Sequence, residues 1–156
     1  MAAFVVTDSL NQLIGQKEPP IVFKIEEGAI QRYAQAVGDS NPLFTDVEYA
    51  SQSRWHRVMA PPGFTGWPIS AGFDLFKLFE KLAKAGAPMG LLDGGVEYDF
   101  LAPVGAGDTL IAEIKIAKIE GRETKMGPTM VTTLESTYTN QRGAVVLITR
   151  NTFLNF

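Results

Sequence analysis

Residues 70–86 read SAGFDLFKLFEKLAKAG. Gly72, Leu75, Phe76, Phe79, Leu82 and Ala83 recur at helical spacing and form one apolar stripe, which Phe73 and Leu78 widen. Asp74, Lys77, Lys81 and Lys84 share one narrow polar face. Ser70 stands where a cap belongs, and Gly86 and Pro88 end the run. A helix apolar over most of its circumference needs cover from several sides. The spacing therefore predicts a long, largely buried helix over 70–86.

The rest of the chain supplies that cover. GGVEYDFLAP (94–103) puts Val96, Tyr98 and Phe100 on one side. DTLIAEIKIAKIEG (108–121) sets Leu110, Ala112, Ile114 and Ile116 against Glu113 and Lys115. PTMVTTLESTYTN (128–140) is rich in threonine, and AVVLITRNTFLNF (144–156) closes the chain after an NQRG turn. Long period-two runs with short connections predict antiparallel strands, the last of them candidates for a dimer edge. IVFKI (21–25) is a further short strand. A sheet of this kind satisfies the helix by curling around it. The expectation is an α+β domain spanning 1–156, with a long central helix wrapped by a curved antiparallel sheet.

Upstream, EEGAIQRYAQAVG (26–38) is a second helix, with Ile30, Tyr33, Ala34 and Val37 on one stripe and Gly38 as its stop. Residues 39–69 have little periodicity beyond a short helix over DVEYASQS, yet they carry Phe44, Tyr49, Trp55, Phe64 and Trp67. So long and aromatic an irregular stretch inside a small domain points to function. Residues 4–20 give no clear pattern.

Bulk composition narrows the function. The chain has 156 residues, 46% hydrophobic and 20% charged, with a net charge of -3. No basic patch suits nucleic acid. The absence of cysteine removes disulfides, thiolate metal sites and a cysteine nucleophile. There is no histidine cluster for a metal, and no phosphate-binding glycine loop. The N-terminus lacks the pattern of a signal peptide, and no apolar run suits a membrane span. A soluble cytoplasmic protein is expected.

The motif that carries chemistry is GDSNPLFTDVEYA (38–50). Asp39 leaves a helix end and Asn41-Pro42 forces a turn, although Asp and Asn favour turns on their own account. Further motifs follow in order: APPGF (60–64), the helix, PVGAGDTL (103–110), then the long strands. From about Leu13 onward this order resembles the MaoC-like hydratase/dehydratase superfamily, and within it the FAS1-like dehydratase N-terminal type, whose domains adopt the hotdog fold. The resemblance implies (R)-specific hydration of a trans-2-enoyl thioester of coenzyme A or acyl carrier protein, or the reverse dehydration, with no cofactor. In active relatives an Asp and a His on this loop hold one water and move the protons, and backbone N–H groups at the start of the central helix stabilise the enolate-like oxygen.

Asp39 matches the acid position, but the histidine position is Phe44, which has neither proton nor lone pair. A His-Gly pair at the helix start is replaced by Pro61-Pro62, and proline has no N–H; Gly63 can substitute only with a shifted register. His56, between Arg54 and Arg57 in sequence context RWHR, reads as an ordinary loop histidine. Relatives of this pattern serve as the non-catalytic half of a heteromeric enzyme. The resemblance thus implies a substrate-binding subunit, in a heterodimer or heterotetramer with a second hotdog subunit that carries the Asp/His pair, or a homodimer. Asn41, Phe44, Trp55, Ala60, Pro62, Gly63 and Trp67 are the candidate acyl-binding residues. Two other readings stay open: an acyl-CoA thioesterase using Asp39, and a non-enzymatic homodimeric acyl-CoA-binding module. Asp108, after Gly107 at a strand start, is read as turn chemistry, and Glu97 and Asp99 as a solvent-facing edge.

Overall fold

The computed structural model describes residues 2–65 and 71–156. Five strands form one sheet in the order β1-β3-β4-β5-β2: β1 (Ile21–Lys24), β2 (Leu91–Phe100), β3 (Thr109–Thr124), β4 (Gly127–Asn140) and β5 (Val145–Asn155). Every pairing is antiparallel. Among the described residues the helices are α1 (Asp8–Asn11), α2 (Glu27–Val37), α3 (Pro42–Thr45), α4 (Val47–Gln52) and α5 (Leu75–Lys84). This is the α+β architecture expected from the periodicity, with the hotdog fold that the resemblance implies.

Alternation decides which face each strand residue takes. On the inner face, Leu110, Ala112, Ile114 and Ile116 of β3 are buried. On the outer face the register aligns Lys115, Glu135 and Arg150, and Arg150 continues to Asp99 of β2 at 2.7 Å. Lys115 meets Glu135 at 2.8 Å, and Arg150 meets it at 3.2 Å. These outer pairs are half-solvated and each contributes little. Their alternation of sign suits a face that looks to water. Register shifts between Ile116 and Lys118 and between Asp93 and Gly95 bend the long strands.

Helix α5 differs from its sequence pattern in two ways. It starts at Leu75, capped by Asp74, whose Oδ1 accepts the Lys77 N–H at 3.0 Å; Ser70 lies outside the described residues. Nor is the helix buried most of the way round. Leu78 and Leu82 are inside, and Phe79 meets Phe153 edge-to-face at 5.0 Å, but Phe76 is 84% exposed. The reason is geometric: one sheet covers one side of a helix. Lys81, on the neighbouring face, pairs with Glu18 at 3.1 Å.

The last strand does not reach an edge. β5 lies between β4 and β2, and the edges are β1 and β2. The unread N-terminal stretch proves structural. Thr7 caps α1, and Leu10 is fully buried with Leu82, Ile116 and Met130. The Phe4 carbonyl sits against Gly121, where a Cβ would collide with it.

Candidate functional site

The loop after α2 is built from local hydrogen bonds. Gly38 ends the helix at φ 71°, a left-handed conformation that glycine adopts without a Cβ penalty. Asp39 Oδ1 accepts the Asn41 N–H at 3.0 Å, and Asn41 Oδ1 accepts the Leu43 N–H at 3.0 Å, capping α3 with Pro42 at its first turn. The Asn41 carbonyl accepts the Thr45 hydroxyl at 3.1 Å. Losing the cap in Asn41→Ala is expected to cost about 1 kcal/mol, read as a lower thermal midpoint. Phe44 then packs, partly buried, on the core cluster that contains Ile25, Ile30 and Leu147.

The remaining candidate residues disperse. Trp55 is half-buried under the Arg54 guanidinium, 4.4 Å from its ring centroid. His56 is exposed at φ 54°, with Nδ1 3.1 Å from the Ser51 carbonyl oxygen. It lines a cleft with Lys24, Val47, Ser51 and Arg57, and Asp39 is not among the lining residues. Ala60 and Pro62 meet Phe64, Phe100, Leu101 and Leu147 around an apolar cleft of about 310 Å³. Gly63 is exposed, and a Cβ there would collide with the Tyr33 hydroxyl. Trp67 lies outside the described residues. The fold thus brings Ala60 and Pro62 to one cleft, keeps Asp39, Asn41 and Phe44 on one loop, and leaves Trp55 apart from that cleft.

A buried ion pair positions the segment that carries Ala60. Arg57 Nη1 and Nη2 reach Asp108 Oδ1 and Oδ2 at 2.7 and 2.8 Å. Gln141 Nε2 donates to the same carboxylate at 3.1 Å, as does the Gly105 N–H at 3.0 Å. Burial would push the Asp108 carboxyl up, but the Arg57, Gln141 and Gly105 bonds outweigh it and hold it below the usual carboxylate range. Beside the pair, the Ala106 N–H donates to Val58 and the Ala60 N–H to Val104, each at 2.9 Å. The Gly105 bond bears out the turn reading of Asp108, which is also a fully buried anchor.

Between α5 and the inner face of the sheet lies a second cavity, of about 200 Å³. Phe73, Leu75, Ile114, Leu134 and Phe153 are among its apolar lining; Tyr98, Ser136, Tyr138, Thr149 and Asn151 are among its polar lining. Sequence reasoning passed over these polar residues. The available signal was LESTY (134–138), where a period-two reading puts Ser136 on the same face as Leu134 and Tyr138. Among the described residues no cluster of His, Cys, Asp and Glu is arranged to hold a metal ion, and no helix is long and apolar enough to cross a membrane.

The chain belongs to the family described as FAS1-like, dehydratase domain region, whose sequence model matches residues 12–149. A UPF0336 protein of Parafrankia sp. is 31% identical over 137 residues, 85% of this chain and 87% of the relative. Among solved structures, the fold is shared with the ChsH1-ChsH2 complex from Mycobacterium tuberculosis at TM-score 0.78 and 15% identity, covering 96% of this chain and 94% of that one. It is also shared with the C-terminally truncated HadBC (3R-hydroxyacyl-ACP dehydratase) complex from the same organism, at TM-score 0.72 and 22% identity, covering 97% and 100%.

Proposed function

We propose that this chain is the substrate-binding, non-catalytic subunit of a heteromeric (R)-specific enoyl-thioester hydratase or 3-hydroxyacyl-thioester dehydratase. The observation that carries the reading is the state of the Asp39 loop. One Asp39 oxygen is engaged by the Asn41 N–H, and the residue at the family's histidine position, Phe44, is a phenyl ring packed on the core. General acid–base transfer needs a titrating group within hydrogen-bond reach of the substrate, and a phenyl ring offers none. His56, held at the Ser51 carbonyl on another cleft, does not stand in for it.

In this reading a second hotdog subunit brings the Asp/His pair, and this chain supplies acyl-binding surface. Two of the solved structures that share its fold are complexes by their own description, ChsH1-ChsH2 and HadBC, which supports a hotdog partner. So does β2, an edge strand exposed along its whole length that carries Val96, Tyr98 and Phe100. An open edge with apolar side chains is a template for pairing. The substrate is an acyl thioester on coenzyme A or a carrier protein, and the chemistry calls for no cofactor. The protein acts in the cytoplasm, where such thioesters are made.

The test follows loss of enoyl absorbance with crotonyl-CoA and longer enoyl-CoAs. The purified chain is expected to be silent. Adding a hotdog subunit that retains the Asp/His pair is expected to give turnover above that subunit alone. Phe44→His is expected to restore measurable hydration to this chain, at some cost in stability because the ring leaves a packed position. Hydration by the wild-type chain alone would sink the reading. Release of free CoA from saturated acyl-CoAs would instead favour an Asp39 thioesterase.

A further inference from the structure

The inner face of a sheet under a buried helix is ordinarily apolar, and most of this one is. Its centre is not. The register sets Ser136 of β4 opposite Thr149 of β5, and Thr149 opposite Tyr98 of β2. One step along, Leu134 faces Asn151. Tyr138, two residues on from Ser136 and so on the same face, lines the same cavity as Ser136 and Thr149. Ser136, Tyr138 and Thr149 are only 6%, 3% and 3% exposed, so these hydroxyls are withdrawn from bulk water while lining the 200 Å³ cavity.

Fold stability does not call for them. Replacing hydrogen-bonded partners together by apolar groups of the same shape is nearly neutral, or stabilising. Alanine, valine and phenylalanine would fill the same places. What the three hydroxyls add is a set of donors and acceptors aimed at an internal space. Each hydroxyl donates once and accepts as well, so the set can reorient to meet either a hydroxyl or a carbonyl. Burial pushes the Tyr138 phenol up, and the neighbouring Thr149 and Ser136 hydroxyls offset only part of this; the group keeps its proton at neutral pH. Asn151 adds a carbonyl and an amide at the same wall. Facing the sheet, Phe73 and Leu75 are apolar, as is Phe153, which follows Asn151 on the same face of β5. A cavity of about 150 Å³ takes a benzene ring, so this one has room for a short stretch of chain bearing one substituent.

We propose that Ser136, Tyr138 and Thr149, with Asn151, form a polar subsite for an oxygen substituent, hydroxyl or keto, carried on the acyl chain beyond the thioester and its reacting carbons. The inference rests on the acyl-thioester reading above and narrows it to oxygenated acyl groups. A site built to bond a substrate oxygen discriminates against the analogue that lacks it, because its own polar groups are then left poorly paired.

The experiment is calorimetric titration of the intact chain with medium-chain acyl-CoAs. Each plain chain is compared with derivatives bearing one hydroxyl or one keto group at successive positions from C5 outward. At one position the oxygenated chain is expected to bind about tenfold tighter than the plain one, a difference of the size a neutral hydrogen bond gives. The preference should collapse in Tyr138→Phe and in Thr149→Val, with binding of the plain chain unchanged or tighter. The hydroxyl and keto arms identify whether the site accepts or donates. Ser136→Ala serves as a third variant, and each is checked for an unchanged thermal midpoint. Equal binding of plain and oxygenated chains at every position would overturn the subsite and leave the thioester reading standing, as would a preference that survives all three substitutions. Failure of every acyl-CoA to bind the folded protein would overturn both.

Discussion

Arg57→Ala is expected to lower the stability of this protein by about 3 kcal/mol, because it leaves the Asp108 carboxylate buried without its counter-charge. The figure is set at the low end of what breaking a buried pair costs, since the Arg57 side chain is 29% exposed while that of Asp108 is 1% exposed. For a domain of this size each kcal/mol moves the thermal midpoint by about 2–4 °C, so a fall of roughly 10 °C should appear in a melt followed by circular dichroism. A fall of under about 2 °C would mean that water reaches the carboxylate and the pair is ornamental. The Asp108 carboxyl is held below its usual range in the folded state. Its contribution is therefore complete above the unfolded carboxylate pKa, about 3.9, and is lost as pH falls through the lower folded value. Wild type should lose stability on that acid side more steeply than Asp108→Asn.

Leu82→Ala is expected to cost about 3 kcal/mol, and Phe76→Ala, six residues earlier on the same helix, less than about 0.5 kcal/mol. Leu82 is 1% exposed beneath α5, where truncation removes apolar contact and leaves a cavity. Phe76 is 84% exposed and has little to lose. The two variants share a helix, so chemical denaturation of both measures how one-sided its burial is. A comparable loss from Phe76→Ala would show that the outward face is covered in solution, which the chain by itself does not do.

The strands were legible because their signal is local. Period-two runs from Val96, Leu110 and Thr129 onward mark which residues share a face, and antiparallel pairing follows from short connections. The helix over 70–86 was legible as a helix, but its burial was not. An apolar circumference says that contact is favourable, not that a partner is present on every side. Phe76 is the residue on which the difference falls. Likewise the Asp39 loop could be read as a turn, since Asp39 and Asn41 bond within two residues of themselves. That Phe44 packs inward on the core required the fold.

By itself, then, the sequence determined the long strands and main helices, the α+β class, the family motifs and a side chain without a titrating group at position 44, all properties of residues near one another along the chain. Tertiary structure alone decided the rest. It joined Arg57 to Asp108 across 51 positions, set β5 inside the sheet with β2 at its edge, and aligned Ser136, Thr149 and Tyr98 from three strands at one cavity. The physical reason is register. A shift of one residue between two strands turns every side chain to the other face, so which distant polar groups meet depends on pairings that no single segment encodes.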